Sequence, residues 1–375
     1  MTYDTTGIIQ ASDLNELSLG SVFLATGGGG DPYVPKLLAE KVLEEYGSAR
    51  LVKVTELADD AHVVTIGSVG APTVSLELLP SVAEIRDALE AYEKHTNKKI
   101  DALVSFEIGG GNSLIPIIAA AIYNIPVVDG DGMGRALPEA QMMTYAIAGA
   151  KPTPAVSADY EGNITTYSAQ TTATYERHIR AMSMASGGMI TAVEHPMTGK
   201  FLKSAIIPGT LSFAIAIGKT LNAIRGIATL AQAPLSNLFE RSEYGACQLL
   251  YCGKVSDKAT RIIGGYDIGE ATISSFEENQ NPLRIKIKNE YLLASTADEN
   301  GIETLVAMVP DLIVIVDYET TVPINAERLK YGQRVAVFAV ECPTFFTTER
   351  ALEAVSPRCF GFDTDYIRLS QLNKR

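Results

Sequence analysis

Three carboxylates close two short apolar runs: Glu107 ends DALVSFE, and Asp129 and Asp131 end PVVDGD. Acids gathered this way can ligate a divalent cation. Alternatively they push one another's pKa apart, so that one of them works as a base. Glycines accompany them in TGGGGDP from Thr26, EIGGGNS from Glu107 and DGDGMGR from Asp129. Gly28, Gly29, Gly30, Gly110 and Gly132 would bring backbone amides close to a ligand. Asn112 could bond an amide or orient a water, and the planar fork of Arg135 suits a carboxylate or carbonyl oxygen. Each residue also has an ordinary structural reading. Asp129 and Asp131 can cap turns and the following helix, Glu107 can pair with Arg135, and Asn112 suits a turn.

Arg135 and Glu139, four apart in RALPEAQMMTYAIA, would share one face of a helix starting there. Of four histidines, His62, His95 and His178 fall in expected strands and helices and read as structural. His195, beside Glu194 in VEHPMTGK, is expected in a loop as a substrate-binding acid, base or ligand. No HExxH, GxSxG, GxxxxGK[ST] or strand-turn-helix GxGxxG occurs, so no organic cofactor is expected. The only metal site the pattern offers is Glu107, Asp129 and Asp131. Cys359, next to Arg358, reads as a buried thiol rather than a nucleophile.

Positioning these groups requires a sheet. From Leu51 to Asp129 strand-like runs alternate with helical ones (LVKVT, HVVTIGSVG, SVAEIRDALEAYEKH, DALVSFE, SLIPIIAAAIYN, PVVD), which implies a mainly parallel sheet between helices. Ligands bind at the carboxyl ends of such strands. A turn-rich stretch, KPTPAVSADYEGNITTYSA from Lys151, ends this pattern. Beyond the helical ERHIRAMSMAS and SFAIAIGKTLNAIRGIATL, strand-dense text runs to RVAVFAVE. The expected architecture is a three-layer α/β/α domain, a boundary in or near that turn-rich stretch, and a second domain whose β-rich part is mixed or mainly antiparallel.

The chain has 375 residues, 46% of them hydrophobic, and a formal charge of -13. It can bury a large core, and its acidity with no basic block argues against a nucleic-acid partner. Four cysteines without a CxxC pair suit a reducing compartment, and the N-terminus lacks the apolar segment of a signal peptide. The most apolar window, from Ile115 to Val128, is broken by Pro116 and Pro126, so no membrane span is expected. The expected setting is the cytoplasm, the partner a small molecule, and the assembly a homo-oligomer.

Taken together, TGGGGDP, EIGGGNS and VDGDGMGRALPE resemble the S-methyl thiohydantoin desulfurase family, also labelled DUF917. KNEYLLA at Lys288, PDLIVIVD at Pro310, LKYGQRVAV at Leu329 and SPRCFGFDTDY at Ser356 extend the resemblance over nearly the whole chain. It implies an α/β domain over 1–160 completed by the C-terminus over 351–375, with an inserted α+β domain over 161–350. The family name implies hydrolytic loss of methanethiol from an S-methylated thiohydantoin ring. The resemblance also implies a hydantoinase or oxoprolinase-type partner. Where the family pattern has alanine and an aromatic residue, this chain has Gly130 and Leu137. The expectation is a hydrolase of a small cyclic amide or hydantoin-like ring, with Glu107 or Asp131 as base. The alternative is a non-catalytic ligand-binding subunit of such a partner.

Overall fold

The computed structural model describes residues 7–71, 74, 78–224, 226–264, 266–298 and 300–372. Two sheets organise them.

The first half runs β1 (Ile8–Ile9), α1 (Leu14–Leu24), α2 (Tyr33–Tyr46), β2 (Ala49–Val52), β3 (His62–Gly70), α3 (Val82–Thr96), β4 (Ala102–Ser105), α4 (Ile115–Tyr123), β5 (Val127–Asp131) and α5 (Thr144–Ala148). It continues with β6 (Ala155–Ala158), β7 (Ile164–Tyr167), α6 (Thr172–Ala185), β8 (Met189–Thr198), α7 (Gly199–Ala205), β9 (Ile207–Pro208) and α8 (Thr210–Ala223). The first sheet has the order β1-β2-β5-β4-β3-β8-β6-β7, with β9 on β5. Its heart, β2-β5-β4-β3, is parallel, as crossovers through α3 and α4 require. Antiparallel strands extend it on both sides. Every residue of β4 and β5 is buried, the mark of strands covered on both faces. IPIIAAAIY in α4 is apolar all round because it crosses β2, β3, β4 and β5 while α2 and α3 pack beside it.

The second sheet comprises β10 (Cys247–Ile263), β11 (Tyr266–Ser275), β12 (Leu283–Lys288), β13 (Glu290–Ala297), β14 (Glu303–Met308), β15 (Leu312–Asp317) and β16 (Arg334–Val340). It is antiparallel throughout, in the order β14-β13-β12-β11-β10-β16-β15, and is preceded by α9 (Gln232–Phe239). The alternating text of PLRIKIK is visible in β12, where buried residues take every second place.

The first sheet continues past residue 160 as far as Pro208, and the second begins at Cys247. One apolar core joins the first half to Val314, Val316, Ala336 and Phe338 of β15 and β16. At the C-terminus, α10 (Glu349–Val355) packs on α5 and α11 (Leu369–Leu372) on β14. Among the described residues no helix is long and apolar enough to cross a membrane.

Three local expectations need correction. No helix starts at Arg135: the chain is irregular to Glu139, forms a short 3-10 turn over Ala140–Met142 and then enters α5. Pro138 has no amide to donate and biases Leu137 away from helical geometry, while Asp131 captures the amides of Met133 and Gly134. His195 lies inside β8 rather than in a loop, although its φ of 45° kinks the strand where the pairing with β3 shifts. Cys359 is exposed, on the short turn Pro357–Phe360, and the neighbouring Arg358 is tied to Asp363 and Asp365.

A candidate active site between the two sheets

A cleft of about 1130 Å³, counted out to its open mouth, lies where the carboxyl ends of β3 and β4 meet the β12–β13 turn. Its apolar wall includes Phe106, Ile115, Leu137 and Ile179. Glu107, Asn112 and Glu290 supply the polar floor.

Glu107 enters because β4 ends at Ser105, whose hydroxyl bonds the Glu107 carbonyl at 2.6 Å and turns the chain. Asn112 then fixes the acid. Its Oδ1 accepts from the Ser68 amide at 2.7 Å, and its Nδ2 donates to the Ser68 carbonyl at 3.2 Å. Docked on β3 in this way, Nδ2 has one hydrogen left, which goes to Glu107 Oε1 at 2.7 Å. Burial penalises the charged form and pushes Glu107 up to about 8, against the bond from Asn112.

Glu290 comes from the other sheet. Asn289, in the left-handed region at φ 58°, exchanges two 2.8 Å bonds with Asp267 and so pins the β12–β13 turn to β11. Two segments dock on the glycine loop: the Tyr291 amide, next to Glu290, donates to the Thr26 carbonyl at 2.6 Å, and the Ala326 amide, from the turn after β15, donates to the Gly27 carbonyl at 2.8 Å. Glu290 is 2% exposed, and its Oε2 has no hydrogen-bond partner among the described residues. Burial, and then the neighbouring Glu107, hold it well above the usual carboxylate range. A Cβ at Gly28 would sit 2.1 Å from Glu290 Oε1, so the glycine makes room for the acid.

The glycine segments meet as backbone. A Cβ at Gly29, where φ is 68°, would lie 2.4 Å from the Gly109 carbonyl oxygen, and the Gly111 amide donates to the Gly30 carbonyl at 3.0 Å. Gly29 and Gly30 line the cleft; Gly28 backs onto Glu290 and Gly110 packs on Gly30. The Gly132 amide donates to the Phe106 carbonyl at 3.1 Å, which joins the third segment to the second.

The other expected residues lie behind or beside this floor. Asp131 is fully buried beneath it, where Oδ2 accepts from the amides of Ile108 at 2.8 Å, Met133 at 2.9 Å and Gly134 at 2.7 Å. Burial raises it to about 6 even so. Asp129 points to the start of α8, accepting from the Ser212 amide at 3.1 Å and from the Ser212 hydroxyl, and does not line the cleft. Arg135 is fully buried. It donates to the carbonyls of Ala136, Pro310 and Asp311 at 2.9, 3.0 and 2.8 Å, and to the Thr26 hydroxyl at 2.6 Å. Its guanidinium is consumed by the joint between the sheets rather than offered to a substrate, and Glu139 pairs with Lys288 instead, at 2.7 Å. His195 is buried outside the cleft lining, its Nδ1 2.9 Å from Glu194 Oε1; Glu194 does line the cleft and also accepts from Tyr175.

Glu107 and Asp131 are thus neighbours, while Asp129 serves another element. Among the described residues no three His, Cys, Asp or Glu side chains are arranged to hold a metal ion. Glu290 and Glu194 were missed by sequence reasoning. KNEY reads as an ordinary turn into a strand, and nothing local marks its acid as facing position 107.

The cleft is acidic. Seven carboxyl side chains line it against one cation, Arg180, which is spent on Glu176 at 2.8 Å, on the Pro138 and Gly70 carbonyls and on the face of Tyr266. Such a site can pass protons through Glu107 and stabilise positive charge developing on a ligand.

A crystal structure of a protein from Chromobacterium violaceum is similar in fold: TM-score 0.79, 23% identity, 96% of this chain and 99% of that one covered. No curated protein matches. The S-Me-THD-like N-terminal domain model matches residues 12–169 and the S-Me-THD-like C-terminal domain model residues 170–369. With both halves accounted for in order, the chain belongs to the S-Me-THD-like family.

Proposed function

We propose that the protein is a hydrolase of small cyclic amide or hydantoin-like rings, acting on an S-methylated thiohydantoin to release methanethiol. The observation that carries this reading is Glu107: a buried carboxyl at the floor of the cleft, oriented by Asn112 and raised to about 8. Hydrolysis at the ring carbon between two nitrogens needs a base for the water, and a base works best with a pKa near the operating pH. The acidic surroundings favour a ring that gains positive character as its nitrogen is protonated. The apolar wall accommodates an aliphatic or aromatic ring substituent.

The test is turnover. Purified protein is incubated with S-methylated thiohydantoins and with plain hydantoins while thiol release and ring opening are followed. Thiol release that falls at least about 100-fold in Glu107→Gln is expected. Rings recovered chemically unchanged, together with a ligand-induced rise in melting temperature, would refute hydrolysis and identify a ligand-binding subunit instead.

A further inference from the structure

We propose that Glu290, delivered by the second sheet, is the proton donor of the site and works as a pair with Glu107: Glu290 protonates the ring nitrogen while Glu107 takes the proton of the attacking water. The inference rests on the hydrolase reading above and adds a catalytic residue to it.

Four observations converge. Glu290 and Glu107 line the same cleft although they come from different sheets and lie far apart in the sequence. Glu290 Oε2 is buried with no partner among the described residues, an arrangement that costs stability until a ligand atom completes it. The acid is held firmly, by Asn289 on β11 and by Tyr291 on the Thr26 carbonyl, as a group acting on a reacting atom must be. Gly28 leaves room at Oε1 that no residue with a Cβ would leave. Geometry separates the two roles: Asn112 donates to Glu107, which favours its carboxylate and suits it to be the base, whereas no group donates to Glu290 Oε2 among the described residues, which suits that oxygen to keep a proton. Burial, and then the Glu107 charge, oppose ionisation of Glu290.

The step balances with no other reagent. Glu107 carboxylate accepts a proton from water as the water oxygen bonds to the ring carbon. The carbon–nitrogen π pair moves to nitrogen, which takes the Glu290 proton. The carbon–sulfur bond then breaks with its pair on sulfur, and the thiolate takes the proton from Glu107. The hydroxyl proton passes to Glu290 as the carbonyl forms. Hydantoin and methanethiol leave, and both carboxyls return to their starting states.

The test compares Glu290→Gln with the wild type on two substrates: a neutral S-methylated thiohydantoin, and the same ring alkylated on nitrogen to a permanent cation. Loss of the donor is expected to lower kcat on the neutral ring about 100-fold with KM changed less than threefold, and to leave the cationic ring within about threefold of wild type, since that ring needs no proton. Equal loss on both rings would assign Glu290 a structural role and overturn the proposal, as would undiminished turnover of the neutral ring. Where Glu290→Gln melts far below wild type, Glu290→Asp carries the same comparison, because the acid is kept but withdrawn from the ring. Independently of turnover, at pH 9, where Glu107 has ionised, the infrared carbonyl absorption of buried protonated carboxyls is expected to be weaker by one group in Glu290→Gln than in the wild type; spectra that do not differ would sink the assignment. Absence of any wild-type turnover would instead overturn the hydrolase reading itself, and the infrared band separates the two failures.

Discussion

Gly28→Ala is the most discriminating perturbation. The backbone at Gly28 is one an alanine adopts without strain, so the whole effect comes from the added methyl. That methyl would lie 2.1 Å from Glu290 Oε1 and 2.7 Å from its Cγ and Cδ, whereas real contacts do not fall below 3.0 Å. The carboxyl must retreat by roughly 1 Å, and misplacement on that scale is worth about 100-fold in rate, or about 2.7 kcal/mol in barrier. Overpacking destabilises by about 1–3 kcal/mol, since Cγ as well as the carboxyl of a buried side chain must shift. Thiol release by the variant, measured beside its melting curve, is expected to drop about 100-fold while the protein stays folded. Gly29→Ala provides the contrast: its methyl would strike the Gly109 carbonyl group at 2.4 Å from a φ of 68°, so the fold suffers before the chemistry. A folded Gly28→Ala protein with wild-type turnover would refute the placement of Glu290 at the reacting ring.

The rate should rise with pH through about 8 as Glu107 ionises, and Glu107→Gln should abolish that limb. Stability should move the other way. Between the unfolded carboxylate value and about 8 the unfolded chain has shed a proton that the folded chain keeps, so stability falls as pH rises, and Glu107→Gln should melt above wild type at pH 8. Arg135→Met strips the donor from three carbonyls and a hydroxyl in the buried joint, and is expected to destabilise by about 3 kcal/mol or more, read by denaturant titration. Asp129→Ala should cost about 1–2 kcal/mol through the lost cap on α8, with turnover within threefold of wild type; a collapse of turnover in a folded variant would return Asp129 to the chemistry. Rings carrying a carboxylate should show kcat/KM at least about tenfold below rings with an aliphatic substituent, because the one lining cation is already engaged.

Much of the first sheet was legible because local rules suffice there. HVVTIGSVG forms β3 over its full length, and Ser81 caps α3 where the pattern placed a helix start. The meeting of the second and third glycine segments and the position of Glu107 at a strand end followed from parallel topology; the first segment, which follows α1 rather than a strand, could be expected there only from the helix it leads into. The helix expected at Arg135 failed because an i, i+4 spacing overlooks Pro138 and the capture of the Met133 and Gly134 amides by Asp131. Glu290 was illegible for a different reason. Its role depends on the docking of Tyr291 against Thr26, a contact that leaves no periodicity in the sequence.

The bond from the Tyr291 amide to the Thr26 carbonyl has a further consequence for biogenesis. The glycine loop leaves the ribosome long before its counterpart, so the Glu107 side of the cleft is made well before the Glu290 side. If the proposed chemistry holds, turnover begins only after β13 has been made and seated. Co-expressing the two portions severed near residue 169 should therefore restore catalysis only to the extent that they reassociate.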